Sequence, residues 1–294
     1  MPVQPDPVSL TALNEASADA FAEGLGGVFE HAPWVASRAA VRRPFATVND
    51  LFAALRAAIE AATADERLAL LRGHPELAVA GVMTRESVGE QSAAGLDRLS
   101  ASGREKFDAL NKAYRKRFGF PFILCVRRHG RDSILREFER RLHLPADQER
   151  DTALAEVLRI GALRLDGRVS RPDRLPVAGR LSTHVLDLSQ GRPAAGLEIE
   201  LVELAADGAH PVARASTNAD GRTQSPLIGE RPIPIASYEL RFHVGAYFRG
   251  RGAPAADPAF LDVVPIRFGI AEPEAHYHVP LLATPWSYST YRGS

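Results

Sequence analysis

Cysteine is almost absent: Cys125, inside the apolar run FPFILCV, is the single one in 294 residues. A disulfide framework within the chain is excluded. The expectation is a reducing compartment, with Cys125 a small buried hydrophobe rather than a nucleophile. An excess of charge is also missing. Lys plus Arg and Asp plus Glu both total 36, which removes any global electrostatic case for nucleic acid or an anionic membrane as partner. The basic runs RRHGR and RRL read as solvated faces. Long apolar runs are absent too. The longest, such as LAVAGVM, reach about seven residues, where a bilayer span needs about 20. The opening MPVQPDPVSL has no basic region followed by an apolar one, so no secretory signal is expected. The closing Arg-Gly-Ser is not a peroxisomal address. These features predict a cytoplasmic protein.

What is present is ordinary for a globular chain, with 45% apolar and 24% charged residues, and the length allows one or two domains with their own cores. The hydrophobic period changes part-way along. Residues 8 to about 165 read as helices. In LNEASADAFAEGLGGVFE, Leu13, Phe21, Leu25 and Val28 share a helical face. VNDLFAALRAAIEAA offers Asn49 or Asp50 as N-cap, and SGREKFDALNKAYRKRFG ends on Gly119, a C-cap glycine. Residues 166–180, DGRVSRPDRLPVAGR, are rich in Arg, Gly and Pro and read as an interdomain linker. Beyond them LSTHVLDLS, GLEIELVEL, YELRFHVGAYF, VVPIRFGI and HYHVPLL are short runs of strand-forming residues separated by turns. In LEIEL, Leu197, Ile199 and Leu201 alternate with Glu198 and Glu200. The reading is a multidomain chain: an all-α domain over 1–165, a linker over 166–180, and an all-β sandwich over 181–294.

In the β half, polar groups stand where packing does not ask for them. His184 lies inside LSTHVLDLS, Arg222 follows TNADG, and His276 and His278 are two apart, hence on one face of a strand. Two imidazoles and a guanidinium suit an anionic heterocycle and proton transfer near neutrality. From the residues alone two other readings stay open. Each histidine can be a satisfied structural residue. H-x-H with a third histidine can bind zinc, although no matching carboxylate or cysteine is evident and Arg222 would be a poor neighbour for a cation. The runs THVLDLSQGRPAAG, TNADGR, HYHVPLL and the terminal YSTYRGS resemble the transthyretin-related hydrolases of 5-hydroxyisourate, in order from about Leu181 to Ser294. The resemblance implies that His184, Arg222 and His278 are catalytic. It implies that His276, Tyr291 and Ser294 line the same pocket, that the subunits form a tetramer, and that the C-terminal tetrapeptide folds into a site at a subunit interface.

In the helical half, His74 precedes Pro75 and so belongs at a helix end. Thr84 is an N-cap with Glu86 in the first turn, and Ser87, Glu90 and Gln91 share a face that Ala94 continues. A solvated polar face is the alternative to a cleft. LGGVFEHAPWVASRA, GHPEL, TRESVGEQSAAGL, FDALNKAYRKRFGFPFILCVR and RIGALRL resemble the 2-oxo-4-hydroxy-4-carboxy-5-ureidoimidazoline (OHCU) decarboxylases over roughly 8–165. By that resemblance His74 is catalytic, with Glu90 and Arg164 completing the catalytic group. Pro75, Ser87, Gln91, and the backbone near Phe122 and Ile123 contact substrate. Between GHPEL and MTRES the chain is a few residues shorter than the family pattern, so the loop beside His74 is expected to differ.

The two families perform consecutive steps, and the whole resembles a bifunctional enzyme of urate breakdown to S-allantoin. Its expected substrates are 5-hydroxyisourate and OHCU, with no metal, no organic cofactor, no nucleic acid and no membrane. A homo-oligomer is expected, a tetramer through the β-domain with dimer contacts through the helical one. The reading from another class is a transthyretin-like ligand carrier joined to a helical interaction domain, or a chain with one active domain only.

Overall fold

Hydroxyl side chains set the starts of six helices in the first half. In this computed structural model, which describes residues 7–79, 83–170, 174–252 and 257–293, Ser9 caps α1 (Leu10–Glu15) and Ser17 caps α2 (Ala18–Gly24). The single run expected over residues 13–30 is thus two short helices and a turn, because the Ser17 hydroxyl accepts the Ala20 N–H at 3.2 Å and restarts the helix. Its apolar face is as expected: Leu13, Phe21, Leu25 and Val28 are all buried. After α3 (Pro33–Ala40), α4 (Val48–Glu60) begins from Thr47, not from Asn49 or Asp50. The Thr47 hydroxyl accepts the Asp50 N–H at 3.1 Å, and the Asp50 carboxylate accepts the Thr47 N–H at 3.0 Å. This reciprocal box satisfies two orphan donors, so Asp50 is the third residue of the helix. α5 (Ala64–Arg72) starts on Thr63 in the same way, and α6 (Arg85–Ala93) starts on Thr84 as expected. α7 (Ala101–Phe118) closes on Gly119, and α8 (Arg131–Leu142) and α9 (Ala146–Arg168) complete the set.

The helical core rests on a buried ion pair. Arg141 is 1% exposed. It donates from Nε to both oxygens of buried Glu149 (3.0 and 3.1 Å) and from Nη1 to the Ile123 carbonyl at 2.7 Å. The Tyr114 hydroxyl also donates to Glu149. Phe122 stacks on Phe138 at 3.9 Å between centroids and lies under the Arg141 guanidinium. Cys125 is buried nearby in the same core. An isolated parallel bridge between Val8 and Val169 means that the helical half is all-α only approximately.

Two compact units emerge: residues 1–127 with 134–177, and residues 128–133 with 178–294. Within the Arg/Gly/Pro-rich stretch, α9 runs on to Arg168, Asp166 accepts from Arg174, and Leu175 is buried in the helical core.

The second unit has eleven strands among the described residues: β1 (Gly179–Ser182), β2 (Val185–Asp187), β3 (Arg192–Pro193), β4 (Glu198–Ala205), β5 (Gly208–Ser216), β6 (Ile228–Arg231), β7 (Ala236–Phe242), β8 (Val264–Ile270), β9 (His276–His278), β10 (Leu281–Ala283) and β11 (Tyr288–Thr290). They form sheets in the orders β6-β1-β9, β11-β10-β2-β3 and β5-β4-β7-β8, sharing one core that includes Leu181, Val185, Leu201, Phe242 and Leu281. Leu197, Ile199 and Leu201 point inward as expected. Two expected strands are each split between sheets: LSTHVLDLS gives β1 and β2, and HYHVPLL gives β9 and β10. YELRFHVGAYF is not one strand. It turns at His243 into α10 (Val244–Gly250), whose Val244, Tyr247 and Phe248 are buried at helical spacing. No helix among the described residues is long and apolar enough to cross a membrane.

Removing one partner of a buried pair strands the other charge. Glu149→Ala is therefore expected to destabilise the helical unit by about 3–5 kcal/mol, read by calorimetric unfolding, with the β unit's transition unchanged.

Candidate active sites

α5 ends on Gly73, and the next residue is His74, placed where Pro75 forbids further helix. His74 is 7% exposed and its Nε2 is buried with no hydrogen-bond partner. Burial pushes its pKa down to about 4. The carboxylate of Glu30 opposes that shift, and Arg164 and His31 reinforce it. His74 is therefore neutral at physiological pH, with an Nε2 that makes no hydrogen bond.

Beside it lies a polar cluster built by α6, α9 and the turn before α3. Arg164 forks onto Glu90, Nε to Oε1 at 3.0 Å and Nη2 to Oε2 at 2.8 Å. Its Nη1 donates to Glu30 at 2.8 Å and to the Gly27 carbonyl at 3.0 Å, and Nη2 also donates to Ser87 at 3.0 Å. Burial alone would lower the Arg164 pKa, but the two carboxylates raise it. Glu30, 1% exposed, also accepts from the Ser87 hydroxyl at 3.0 Å and the Thr84 N–H at 3.3 Å. Burial opposes its ionisation, yet the bonds from Arg164, Thr84 and Ser87 hold its pKa below the usual range. Five donors of one guanidinium are thus spread over two carboxylates, a carbonyl and a hydroxyl.

Ser87 and Glu90 share a face, as their spacing suggested, and Arg164, which only the family resemblance had named, bonds to both. Gln91 is turned elsewhere: its Oε1 accepts the Ala78 N–H at 2.9 Å and its Nε2 donates to the Glu76 carbonyl at 3.2 Å. With Asn111, which donates to the Leu77 carbonyl at 2.9 Å, it ties down the chain just after His74 and half-buried Pro75. Ala78 there has φ 60°, a left-handed conformation unusual for a residue with a Cβ. The expected shortened loop falls partly on residues 80–82, outside the described residues. Phe122 and Ile123 lie in the core beside Arg141, and the Ile123 carbonyl is taken by that arginine. Glu30 was missed from sequence. Its signal is an acid directly after the apolar pair Val28-Phe29.

In the β unit, register does the assembly. β1 pairs with β9 in parallel, with Ser182 opposite His278 and Arg180 opposite His276. The hydroxyl of Ser182, 9% exposed, meets both rings: His276 Nε2 at 2.9 Å and His278 Nδ1 at 3.0 Å. His184 and Arg222 face each other across an antiparallel bridge, and the Val185 N–H donates to the Gly221 carbonyl at 2.8 Å. Gly221, at φ +71°, is required in that turn because a Cβ would lie 2.4 Å from the Val185 carbonyl oxygen. The His184 Nε2 is buried without a partner. Burial lowers the His184 pKa, Arg222 lowers it further, and Asp220 partly opposes. For His278 burial is again first, followed by Arg222, His276 and His184. Two neutral imidazoles therefore flank one exposed guanidinium.

The tail reaches this group. The Gly293 N–H donates to the His278 carbonyl at 2.9 Å, and the Arg292 guanidinium lies 4.9 Å over the Tyr277 ring. A Cβ on Gly293 would sit 2.6 Å from His278 Cδ2, so only glycine fits. Tyr291 is 59% exposed in the single chain, and Ser294 lies outside the described residues. Among the described residues no group of three or more His, Cys, Asp or Glu side chains is arranged to hold a metal ion. Ser182 was also missed, its hydroxyl hidden in the strand run LSTHV.

Comparison with known proteins agrees with both halves. The OHCU decarboxylase family model matches residues 14–166, and the HIUase/Transthyretin family model matches 181–293. A 5-hydroxyisourate hydrolase 2 of Rhizobium meliloti is 54% identical over 117 residues, 40% of this chain and 98% of that protein. A 2-oxo-4-hydroxy-4-carboxy-5-ureidoimidazoline decarboxylase of Haloferax volcanii is 43% identical over 163 residues, 55% of this chain and 97% of that protein. The crystal structure of an (S)-allantoin synthase is 34% identical, covering 98% of this chain and 100% of that one, with a TM-score of 0.55.

His74 supplies a test of the electrostatics. Between pH about 6.5 and 4 its unfolded form binds a proton that the folded form refuses, so stability falls as pH drops through that window. The expected outcome is that wild type loses unfolding free energy relative to His74→Gln on acidification from pH 6.5, measured by denaturant titration; parallel curves would contradict a depressed pKa. The chain belongs to the OHCU decarboxylase family through its helical half and to the HIUase/Transthyretin family through its β half.

Proposed function

We propose that this chain carries out two consecutive steps of urate breakdown. The β unit hydrolyses 5-hydroxyisourate to OHCU, and the helical unit decarboxylates OHCU to S-allantoin. The observation that carries this reading is the presence, in one chain, of both families' polar groups, each gathered at its own site. The end-to-end likeness to an (S)-allantoin synthase supports it. Linking the two sites covalently raises the effective concentration of the intermediate at the second one.

In the β unit, His184 and His278 orient the attacking water and accept its proton, and Arg222 stabilises the oxyanion that forms as water adds to the ring carbonyl. The depressed pKa values support this assignment, since both histidines are neutral and able to take a proton. His276, Tyr291 and Ser294 line the pocket. The chain assembles as a homo-oligomer, a tetramer through the β unit. Exposed Trp286, Tyr288 and Tyr291 on and beside β11 favour burial of that edge against another copy. Dimer contacts through the helical unit rest on the family resemblance alone.

In the helical unit the bond to the carboxylate breaks, carbon dioxide leaves, and the electron pair is spread into the ring until the carbon takes a proton. His74, neutral and with an unpartnered Nε2, removes the substrate hydroxyl proton and delivers one to a single face of the carbon. Glu30 rather than Glu90 is the carboxylate whose field reaches the imidazole, while Glu90 holds Arg164 in place. By the family resemblance Arg164 balances the anionic charge of the substrate, which requires it to exchange one of its present bonds to Glu90, Glu30, Ser87 or the Gly27 carbonyl. Substrate contact by Pro75, Ser87, Gln91, Phe122 and Ile123 rests on that resemblance alone.

Freshly generated 5-hydroxyisourate, followed by absorbance and circular dichroism together, tests the whole reading. Rapid loss with direct build-up of optically active allantoin is expected; no acceleration over the spontaneous reaction would leave a ligand carrier. His74→Asn is expected to slow stereospecific product formation roughly 10²- to 10⁴-fold with hydrolysis intact. Arg222→Lys loses planar two-point contact and is expected to remove most hydrolase activity with decarboxylation intact.

A further inference from the structure

A single hydroxyl between two imidazoles is chemically constrained. Ser182 has one proton to donate, yet its Oγ stands 2.9 Å from His276 Nε2 and 3.0 Å from His278 Nδ1. When it donates to one ring and accepts an N–H from the other, the tautomers of the two rings are coupled through it. When His278 keeps a bare Nε2 as a base, its Nδ1–H donates to Ser182, and the Ser182 hydroxyl donates to His276 Nε2. In the single chain His276 is exposed, whereas Ser182 is nearly buried.

We infer that Ser182 and His276 form a proton relay that connects the hydrolytic base His278 to solvent, with Ser182 as a positioning residue acting through both rings. The inference rests on the hydrolase reading above.

The steps balance. As water adds to the ring carbonyl, its proton goes to His278 Nε2. The Nδ1 proton of His278 passes to Ser182 oxygen, the Ser182 hydroxyl proton passes to His276 Nε2, and His276 gives its Nδ1 proton to bulk water. One proton enters the chain of groups and one leaves, and no imidazolium persists beside Arg222. As the ring C–N bond breaks, each transfer runs in reverse. His278 Nε2 gives its proton to the departing nitrogen, Ser182 re-protonates Nδ1, His276 re-protonates Ser182, and bulk water re-protonates His276.

The surroundings give such a relay a purpose. Burial first, and then Arg222, His276 and His184, disfavour a charged His278 ring, with the Ser182 backbone partly opposing them. The parallel register of β1 and β9 puts Ser182 opposite His278, and the two-residue repeat of the strand brings His276 to the same face. The backbone is fixed independently of the hydroxyl, because the Val279 N–H donates to the Ser182 carbonyl at 3.0 Å. A Ser182→Ala chain keeps that bond and loses only the relay.

The test is hydrolysis of 5-hydroxyisourate by wild type and by Ser182→Ala at low and high imidazole buffer. Wild type above the spontaneous rate establishes the hydrolase itself, so failure of that reading is seen first. The relay predicts that Ser182→Ala lowers kcat about tenfold at low buffer with KM nearly unchanged. Added imidazole should recover much of the loss, and Ser182→Thr should retain the wild-type rate. Equal rates for Ser182→Ala and wild type, or a slow variant that buffer does not rescue, overturn the relay. Should Ser182→Ala fail to fold, a proton inventory on wild type in mixed light and heavy water decides. Curvature from several protons in flight is expected, and a linear inventory overturns the proposal.

Discussion

The guanidinium of Arg164 is buried, and a buried cation is tolerated only when every donor is met. That constraint organises the helical site. Meeting five donors takes Glu90 and Ser87 from α6, Glu30 and the Gly27 carbonyl from the turn before α3, and the arginine itself from α9. Three separated parts of the chain are thereby held in one geometry. The same carboxylate that binds Arg164 also acts on His74, so the charge state of the imidazole and the placement of the arginine are linked through Glu30.

The β site meets its constraint differently. No charge is buried there; the organising element is backbone register. The parallel β1–β9 ladder, the His184–Arg222 bridge and the His278–Gly293 bridge each place a side chain by pairing main chain. A slip of one residue would turn His276 and His278 to the opposite face. The glycines at 221 and 293 are part of this arrangement, since a Cβ at either would collide with the groups being positioned.

Much of the fold was legible because it depends on local chemistry. The change from helical to strand periodicity, the Thr84 cap, the Gly119 terminus and the inward face of Leu197, Ile199 and Leu201 follow from neighbours a few residues away. The failures have identifiable causes. β5 escaped notice because its core-side residues are mostly small, Ala213 and Ala215 beside Val212, and Pro211 interrupts the run. The turn from β7 into α10 was hidden because Val244, Tyr247 and Phe248 suit a strand by composition while packing at helical spacing. Asn49 and Asp50 lost the N-cap to Thr47 because a cap is decided by which hydroxyl reaches the third N–H, not by residue type alone.

By itself the sequence determined the two halves, the chemistry each carries, and the members of each site that share a short motif: Ser87 with Glu90, and His276 with His278. Only the tertiary structure decided what lies between them. Glu30 meets Arg164 across 134 residues, and Ser182 meets His278 across 96. Neither partner is marked by periodicity or propensity, because a buried carboxylate or a strand serine gains its meaning from the group that packing brings to it.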